Sequence, residues 1–223
     1  MIGYTRTAGT GGGGGGSAIT FSPITVFQSS GISSSGWTAT DGTTNITVNA
    51  GTFSASAGEY VEVTGSNTLR MSFNIPGSYY AFGIKCRVDP SFNPVNTGNW
   101  YSASTIIGQE LSGEQKDYGI VIDRNGYFAL GWANSTITST DVNAKDGNDH
   151  ELFVYATGSD IVLVIDGVEK VRVGKTMSSS EMSAIGVFWN KGDGGTRVNG
   201  RVYSVGCWSY TVPAAVYDLP TLS

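Results

Sequence analysis

Short runs of β-branched and aromatic residues recur after residue 18, separated by Gly, Asn, Asp, Ser and Pro. Such runs between turn formers are typical of β-strands, and no long segment keeps a helical period. A single helical turn is predicted at Ser178–Met182, where Ser-Ser-Ser-Glu resembles a capping box. The pattern predicts strands at Ile19–Phe27, Asn45–Val48, Glu59–Thr64, Thr68–Ile75, Tyr79–Val88, Ser104–Glu110, Asp117–Asp123, Tyr127–Ala133, His150–Ala156, Ile161–Ile165, Glu169–Val173, Ala184–Asn190 and Val198–Tyr210.

The alternation within these runs predicts two stacked sheets. Ile161–Val164 is apolar at every position, so we expect this strand to be covered on both faces. In the last strand, strict alternation puts Tyr203, Val205 and Cys207 on one face and Val202, Ser204 and Trp208 on the other. The fold class is therefore predicted to be all-β, a two-sheet antiparallel jelly-roll sandwich.

The stretch Asp146–Asp166, which reads DGNDHELFVYATGSDIVLVID, carries the strongest local signal. It contains a turn that ends at Gly147 and two strands, and its last residue begins the Asp166–Gly167 pair. An Asp-Gly pair between two apolar runs is a strong indicator of a tight hairpin turn.

Composition limits the function classes. The 223 residues are 39% hydrophobic, 14% charged and rich in Gly, with 32, which fits one large turn-rich β domain. The net charge of −5 and the scattered Lys and Arg argue against a nucleic-acid partner. No apolar run approaches the length of a membrane span, and the N-terminus lacks the apolar core of a signal peptide.

Three segments are predicted. Residues 1–18, with six glycines at Gly11–Gly16, are expected to form a flexible arm that anchors the protein to other proteins, unless the run is an engineered linker. Residues 19–212 form the sandwich domain, and residues 213–223 form a tail. Cys86 and Cys207 lie in predicted strands and are expected to be buried thiols, with a single disulfide bridge left open.

The region from about 77 to 210 resembles the laminin-G-like and concanavalin-A-like sandwich families. The resemblance rests on the Asp146–Asp166 stretch, on the hairpin Tyr118–Trp132 and on the closing pair Ala184–Phe188 and Arg201–Trp208. Asp149 departs from the pattern, because the families have Trp before the histidine. The resemblance implies a binding surface for a glycan or a protein, with His150 as a packing residue.

Calcium is the one cofactor that the sequence suggests. Asp141, Asp146, Asn148 and Asp149 offer oxygen ligands in one segment, and laminin-G-like domains often hold calcium at such a rim. The alternative interpretation is that these residues are there because they form turns.

Sugar binding would use aromatic rings in loops with polar side chains around them. The candidate ligand-binding residues are Trp100, Tyr101, Trp189, Asn190, Asp193 and Arg197. The loop Asn190–Asn199 is the preferred contact, since its glycines let a backbone approach a ligand closely. Asp146–Asp149 is expected to form the opposite rim.

Hydrolysis is not expected. Retaining glycosidases need two carboxylates about 5–5.5 Å apart. The acidic pairs Glu59/Glu62, Glu114/Asp117 and Asp166/Glu169 are each three residues apart, so in a strand they face opposite sides.

These observations predict a non-enzymatic adhesion or decoration protein on the surface of a phage particle. Its partners would be host-surface glycans and other virion proteins, and a homo-oligomer is expected. Two alternatives remain: a carbohydrate-binding or adhesion module of a secreted bacterial protein, and a purely structural capsid or tail subunit without a ligand.

Overall fold

The computed structural model describes residues 19–20, 22–39, 45–50, 54–64, 68–72, 79–94, 104–109, 118–132, 136–157, 159–174, 184–188, 198–210, 217–218 and 222. Eighteen strands lie in this part of the chain: β1 (Ile19–Thr20), β2 (Ser22–Phe27), β3 (Trp37–Thr38), β4 (Asn45–Ala50), β5 (Ser54–Ser56), β6 (Tyr60–Val63), β7 (Thr68–Ser72), β8 (Tyr79–Val88), β9 (Ser104–Gln109), β10 (Tyr118–Ile122), β11 (Tyr127–Trp132), β12 (Thr136–Asn143), β13 (His150–Ala156), β14 (Asp160–Ile165), β15 (Val168–Gly174), β16 (Ala184–Val187), β17 (Gly200–Tyr210) and β18 (Tyr217–Asp218). A 3-10 turn covers Ser29–Gly31.

The strands form two large antiparallel sheets, as the alternation predicts. Sheet I has the order β12-β11-β10-β9-β16-β7-β4-β3. Sheet II has the order β15-β14-β13-β8-β17-β6-β5, and β2 also pairs with β17. The short strands β1 and β18 pair in parallel, so Tyr217–Asp218 of the predicted tail takes part in the fold. The all-β sandwich is confirmed.

The main core lies between the two sheets. Phe82 of sheet II stacks on Tyr118 of sheet I with ring centroids 5.0 Å apart. Phe128 of sheet I meets the ring of His150 of sheet II edge-on, with centroids 5.2 Å apart. Trp37 is also buried and donates its indole N–H to the Gln28 carbonyl over 2.7 Å. These contacts across the gap hold the sheets at a fixed spacing.

Sheet II is also covered on part of its outer face, around β13 and β14. Ile161, Leu163 and Ile165 of β14 pack into the main core. Val162 and Val164 belong to a second buried cluster on the outer face of the sheet. This confirms the prediction for the fully apolar strand. The second cluster also contains Ala81, Phe153, Tyr155, Trp208 and Leu222.

The Asp166–Gly167 pair forms the predicted hairpin between β14 and β15. Both residues have positive φ, 51° and 76°, which is the geometry of a type I′ turn. Such a turn matches the twist of the two strands, and Asp and Gly adopt it at low cost.

The described region differs from the predicted strands mainly at the sheet edges. β12 occupies Thr136–Asn143, where no strand is predicted, because this edge strand is polar on most positions and half exposed. Lys170 Nζ on β15 lies 2.8 Å from Asp141 Oδ1, so an ion pair joins the edges of the two sheets. The predicted arm at 1–18 and the helical turn at Ser178–Met182 lie outside the described residues.

Both cysteines are buried and free, as expected for packing residues. Burial raises the pKa of each thiol, so both stay protonated. Within the described residues, no helix has the length and apolar character that crossing a bilayer requires.

The β10–β11 hairpin depends on the buried carboxylate of Asp123. Its Oδ1 accepts backbone N–H groups of Asn125 over 2.8 Å and of Tyr127 over 2.9 Å, and its Oδ2 accepts the Ser139 hydroxyl over 2.6 Å. Asp123→Ala should lower the free energy of unfolding by about 1–2 kcal/mol, because three donors lose their acceptor. Urea denaturation measures this, with the neighbouring exposed Arg124→Ala as a control that should change little. An Asp123→Ala protein as stable as the control would contradict the role.

Candidate functional site

A cleft of about 330 Å³ opens where β6 and β8 of sheet II end and β17 begins. This volume is at the lower end of the range of small-molecule sites, roughly 300–1,000 Å³. The residues that line the cleft are Glu62, Val63, Thr64, Arg87, Asp89, Pro90, Asn199, Gly200 and Arg201. Charged and polar side chains dominate its wall.

A row of four charged residues crosses the outer face of sheet II beside the cleft. Strand register sets Glu62 of β6 opposite Arg201 of β17, and Arg201 opposite Arg87 of β8. His150 is paired with Cys86, so Asp149, the residue before β13, lies next to Arg87. The row therefore reads acid, base, base, acid across neighbouring strands.

The two halves of the row differ in their bonding. Arg87 Nε donates to Asp149 Oδ1 over 2.7 Å, which raises the pKa of the arginine and fixes that pair. Glu62 and Arg201 form no ion pair or side-chain hydrogen bond within the described residues. Arg201 instead lies over the ring of Tyr60, 4.3 Å from the centroid, in a cation–π contact.

Tyr203 completes the aromatic part of this surface. Its ring lies edge-on to Tyr60, with centroids 6.2 Å apart. Burial raises the pKa of the phenol, and the neighbouring Asp149 carboxylate raises it further. The hydroxyl therefore remains a donor at neutral pH.

The strict alternation predicted for the last strand is wrong for Tyr203, because it places this residue on the same face as Val205 and Cys207. The register of β17 against β8 shifts between Val202 and Ser204, so Tyr203 is an extra residue in the strand. Val202, Val205 and Cys207 all pack into the main core, and Tyr203 contacts outer-face residues instead. A β-bulge of this kind shifts which side chains face outward, and it supplies the site with its second tyrosine.

The floor of the cleft is formed by a close approach of two strands. The Asp89 N–H donates to the Asn199 carbonyl over 2.9 Å. Gly200 follows with φ 157°, and a Cβ there would lie 2.1 Å from the Arg87 carbonyl oxygen. Phe188, whose φ is 49°, packs its buried ring against the same point. The floor tolerates glycine alone at position 200.

His150 lies at the rim of the main core between two carboxylates. Its Nδ1 is 2.8 Å from Asp166 Oδ2, and its Nε2 is 3.1 Å from Asp146 Oδ1. The hydrogen bond with Asp166 raises the pKa of His150 above its ordinary value; burial opposes this, and Asp146 adds to it. Burial acts to raise the pKa of both aspartates, but their hydrogen bonds outweigh it and lower both values. The geometry suits an imidazolium that donates from both nitrogens.

The four candidate calcium ligands are not gathered at one point. Asp141 pairs with Lys170, and Asp149 pairs with Arg87. Asp146 accepts the backbone and side-chain N–H groups of Asn148 over 2.9 Å each, in addition to its contact with His150. Among the described residues, no three His, Cys, Asp or Glu side chains form a group that could hold a metal. Calcium binding stays a prediction without an assembled site here.

The candidate sugar-binding residues Trp100, Tyr101, Trp189, Asn190, Asp193 and Arg197 lie outside the described residues and stay predictions. Asn199, the last residue of the predicted contact loop, lines the cleft. The predicted opposite rim also reaches this point, because a Cβ on Gly147 would lie 3.6 Å from Pro90 Cγ. Asn199 therefore bonds to the Asp89–Pro90 segment, and Gly147 of the Asp146–Asp149 turn lies close to it.

The predicted ligand-binding residues do not include Tyr60, Glu62, Arg87, Arg201 or Tyr203. Each belongs to a strand whose neighbouring residues point into the core, as Val61 and Val63 do beside Glu62. The one feature of the sequence that could have indicated them is a charged or aromatic residue between core-facing positions of a strand. Only strand register shows that these positions are adjacent.

No protein-family model matches the sequence, and no curated protein matches it either. Solved structures with the same fold include domain 4 of AbnA, an extracellular arabinanase from Geobacillus stearothermophilus, in complex with arabinotriose. The comparison gives a TM-score of 0.63 and 13% sequence identity, and it covers 86% of this chain and 94% of that domain. Another is the sialidase of Trypanosoma rangeli, with TM-score 0.59 and 13% identity, over 82% of this chain and 30% of the sialidase. A third is the binding domain of botulinum neurotoxin DC in complex with SialylT, with TM-score 0.56 and 10% identity, over 84% of this chain and 47% of that chain.

This chain thus spans under a third of the sialidase's length and under half of the neurotoxin fragment's, but nearly all of the arabinanase domain. Identities of 10–13% support the shared β-sandwich fold, and they carry no ligand over to this chain.

Proposed function

We propose that this protein is a non-enzymatic carbohydrate-binding β-sandwich whose ligand occupies the cleft where β6 and β8 end and β17 begins. One observation carries the proposal: Glu62 and Arg201, which form no ion pair among the described residues, are register partners at a cleft beside Tyr60 and Tyr203. A carboxylate, a guanidinium and nearby rings are the groups that recognise a polyhydroxylated ligand. Three structural neighbours support the class, since two were solved with arabinotriose and SialylT and the third is a sialidase.

The proposal is tested on a glycan array with and without EDTA, using the full chain. Arg201→Ala should lower the affinity for the bound glycan by about tenfold or more, because one charged hydrogen bond to a ligand contributes about 1.5–3 kcal/mol. Arg124→Ala, an exposed arginine at the β10–β11 hairpin, is the matched control and should bind like the original protein.

The proposal would be contradicted if the folded protein bound no glycan either with or without EDTA. If Arg201→Ala binds the glycan as tightly as the original protein, the ligand binds outside the cleft. Trp100→Ala and Trp189→Ala then test the predicted aromatic contacts, and a loss of binding with EDTA alone would assign calcium a role.

The biological setting is proposed from the sequence. A polar, low-charge composition and the Gly-rich segment at 1–18 support display on a phage particle, with adhesion to host glycans as the role. The alternatives are a module of a secreted bacterial protein and a structural virion subunit without a ligand. Mass spectrometry of purified phage particles tests the virion setting. Absence of the protein from the particles would favour the module of a secreted protein.

A further inference from the structure

Glu62 and Arg201 form an opposed pair, and neither side chain hydrogen-bonds to another side chain in the part of the chain that the structure describes. They are register partners on β6 and β17, and both line the cleft. Arg87, Arg172 and Lys170 of the same sheet are held by carboxylates at 2.7 to 3.2 Å, whereas Arg201 is held by the face of Tyr60. With no carboxylate acceptor among the described residues, its N–H groups can donate to a ligand.

The pair has a donor on one side and an acceptor on the other. A ligand hydroxyl can accept a hydrogen bond from Arg201 and donate one to Glu62, so neighbouring hydroxyls of a sugar satisfy both groups. A ligand carboxylate can only accept. It would satisfy Arg201 and leave Glu62 beside a like charge.

The charge around the cleft favours the same kind of ligand. Among the residues that the structure describes here, Arg87 and Arg201 supply two positive charges and Glu62, Asp89 and Asp149 supply three negative ones, which leaves a net charge of −1 for this set. The hydrogen bonds that Asp89 accepts from the Ser91 hydroxyl and N–H lower the pKa of Asp89, so it stays ionised. An acidic sugar would enter a site that already has excess negative charge.

We propose that the cleft selects neutral, hydroxyl-rich glycans over glycans that carry a carboxylate, and that Glu62 is the specificity-determining residue. This inference rests on the proposed function, because it assigns the ligand class of that same cleft.

The experiment compares each glycan in a charged and an uncharged form. The probes are trigalacturonate, its methyl ester and galactotriose, together with 3′-sialyllactose, its methyl ester and lactose, printed on one array at two salt concentrations. The neutral forms should bind about tenfold more tightly than the free acids, and added salt should narrow the difference.

Glu62→Gln should reduce this discrimination to about twofold or threefold, because the amide removes the repelling charge and adds a donor. Glu59→Gln, in the β5–β6 turn where Glu59 accepts the Ser56 hydroxyl, is the matched control and should keep the full discrimination. Free acids that bind as tightly as their esters would overturn the inference and leave glycan binding intact. If the array shows no binding of any glycan, the proposed function falls, and this inference falls with it.

Discussion

Gly200→Ala is expected to lower the free energy of unfolding by about 3 kcal/mol, through a backbone clash and an unfavourable dihedral angle. The added Cβ would lie 2.1 Å from the Arg87 carbonyl oxygen, a backbone atom that cannot rotate away. It would also press on the Phe188 ring at 3.1 Å. Strands β8 and β17 would have to separate at the floor of the cleft.

The matched control is Gly36→Ala, because a Cβ there meets nothing within 4 Å. Gly36 lies in the turn before β3 and should tolerate alanine with a change of about 0.5 kcal/mol or less. Chemical denaturation of the two variants measures the difference. Equal stability of the Gly200→Ala and Gly36→Ala proteins would show that β8 and β17 do not approach so closely.

His150→Ala is expected to lower the free energy of unfolding by about 2–3 kcal/mol at pH 5. The imidazolium holds together the Asp146–Asp149 turn and the Asp166–Gly167 turn through two hydrogen bonds. Its removal leaves two carboxylates without their shared cation and opens a gap beside Phe128. The cost stays moderate because solvent reaches part of both aspartates.

The pH dependence of this effect follows from the shifts in pKa. Folding raises the pKa of His150 above 6.5, so its contribution is complete below pH 6.5 and is lost as the pH rises through the folded-state value. Folding lowers the pKa of Asp146 and Asp166 below 3.8, so their contribution is lost as the pH falls through those lower values. The cluster should therefore stabilise the fold most between about pH 4 and 6.5.

Urea denaturation of the original protein and of His150→Gln at pH 5 and pH 8.5 measures this effect. The stability difference between the two proteins should be larger at pH 5, because glutamine cannot become a cation. Cys86 and Cys207 can ionise in the unfolded state at pH 8.5. This contribution is the same in both proteins, so it cancels in the stability difference. A stability difference that is the same at both pH values would show that His150 is not charged in the folded protein.

The sequence by itself determined the local parts of this fold. The fully apolar run in β14 predicted a strand covered on both faces, because a strand buried on both faces needs no polar alternation. The Asp166–Gly167 pair predicted its turn, because few residues adopt positive φ at low cost. It did not reveal β12, because an edge strand can be polar and half exposed without losing its backbone pairing.

The tertiary structure alone decided where the site lies. Glu62, Arg87, Asp149 and Arg201 come from distant parts of the chain and become neighbours through strand register. Register depends on the packing of the whole sheet, and one bulged residue at Tyr203 is enough to shift which side chains face outward. Residue patterns along a strand therefore specify its alternation, while the set of charges that meet at the cleft is fixed only when the strands pair.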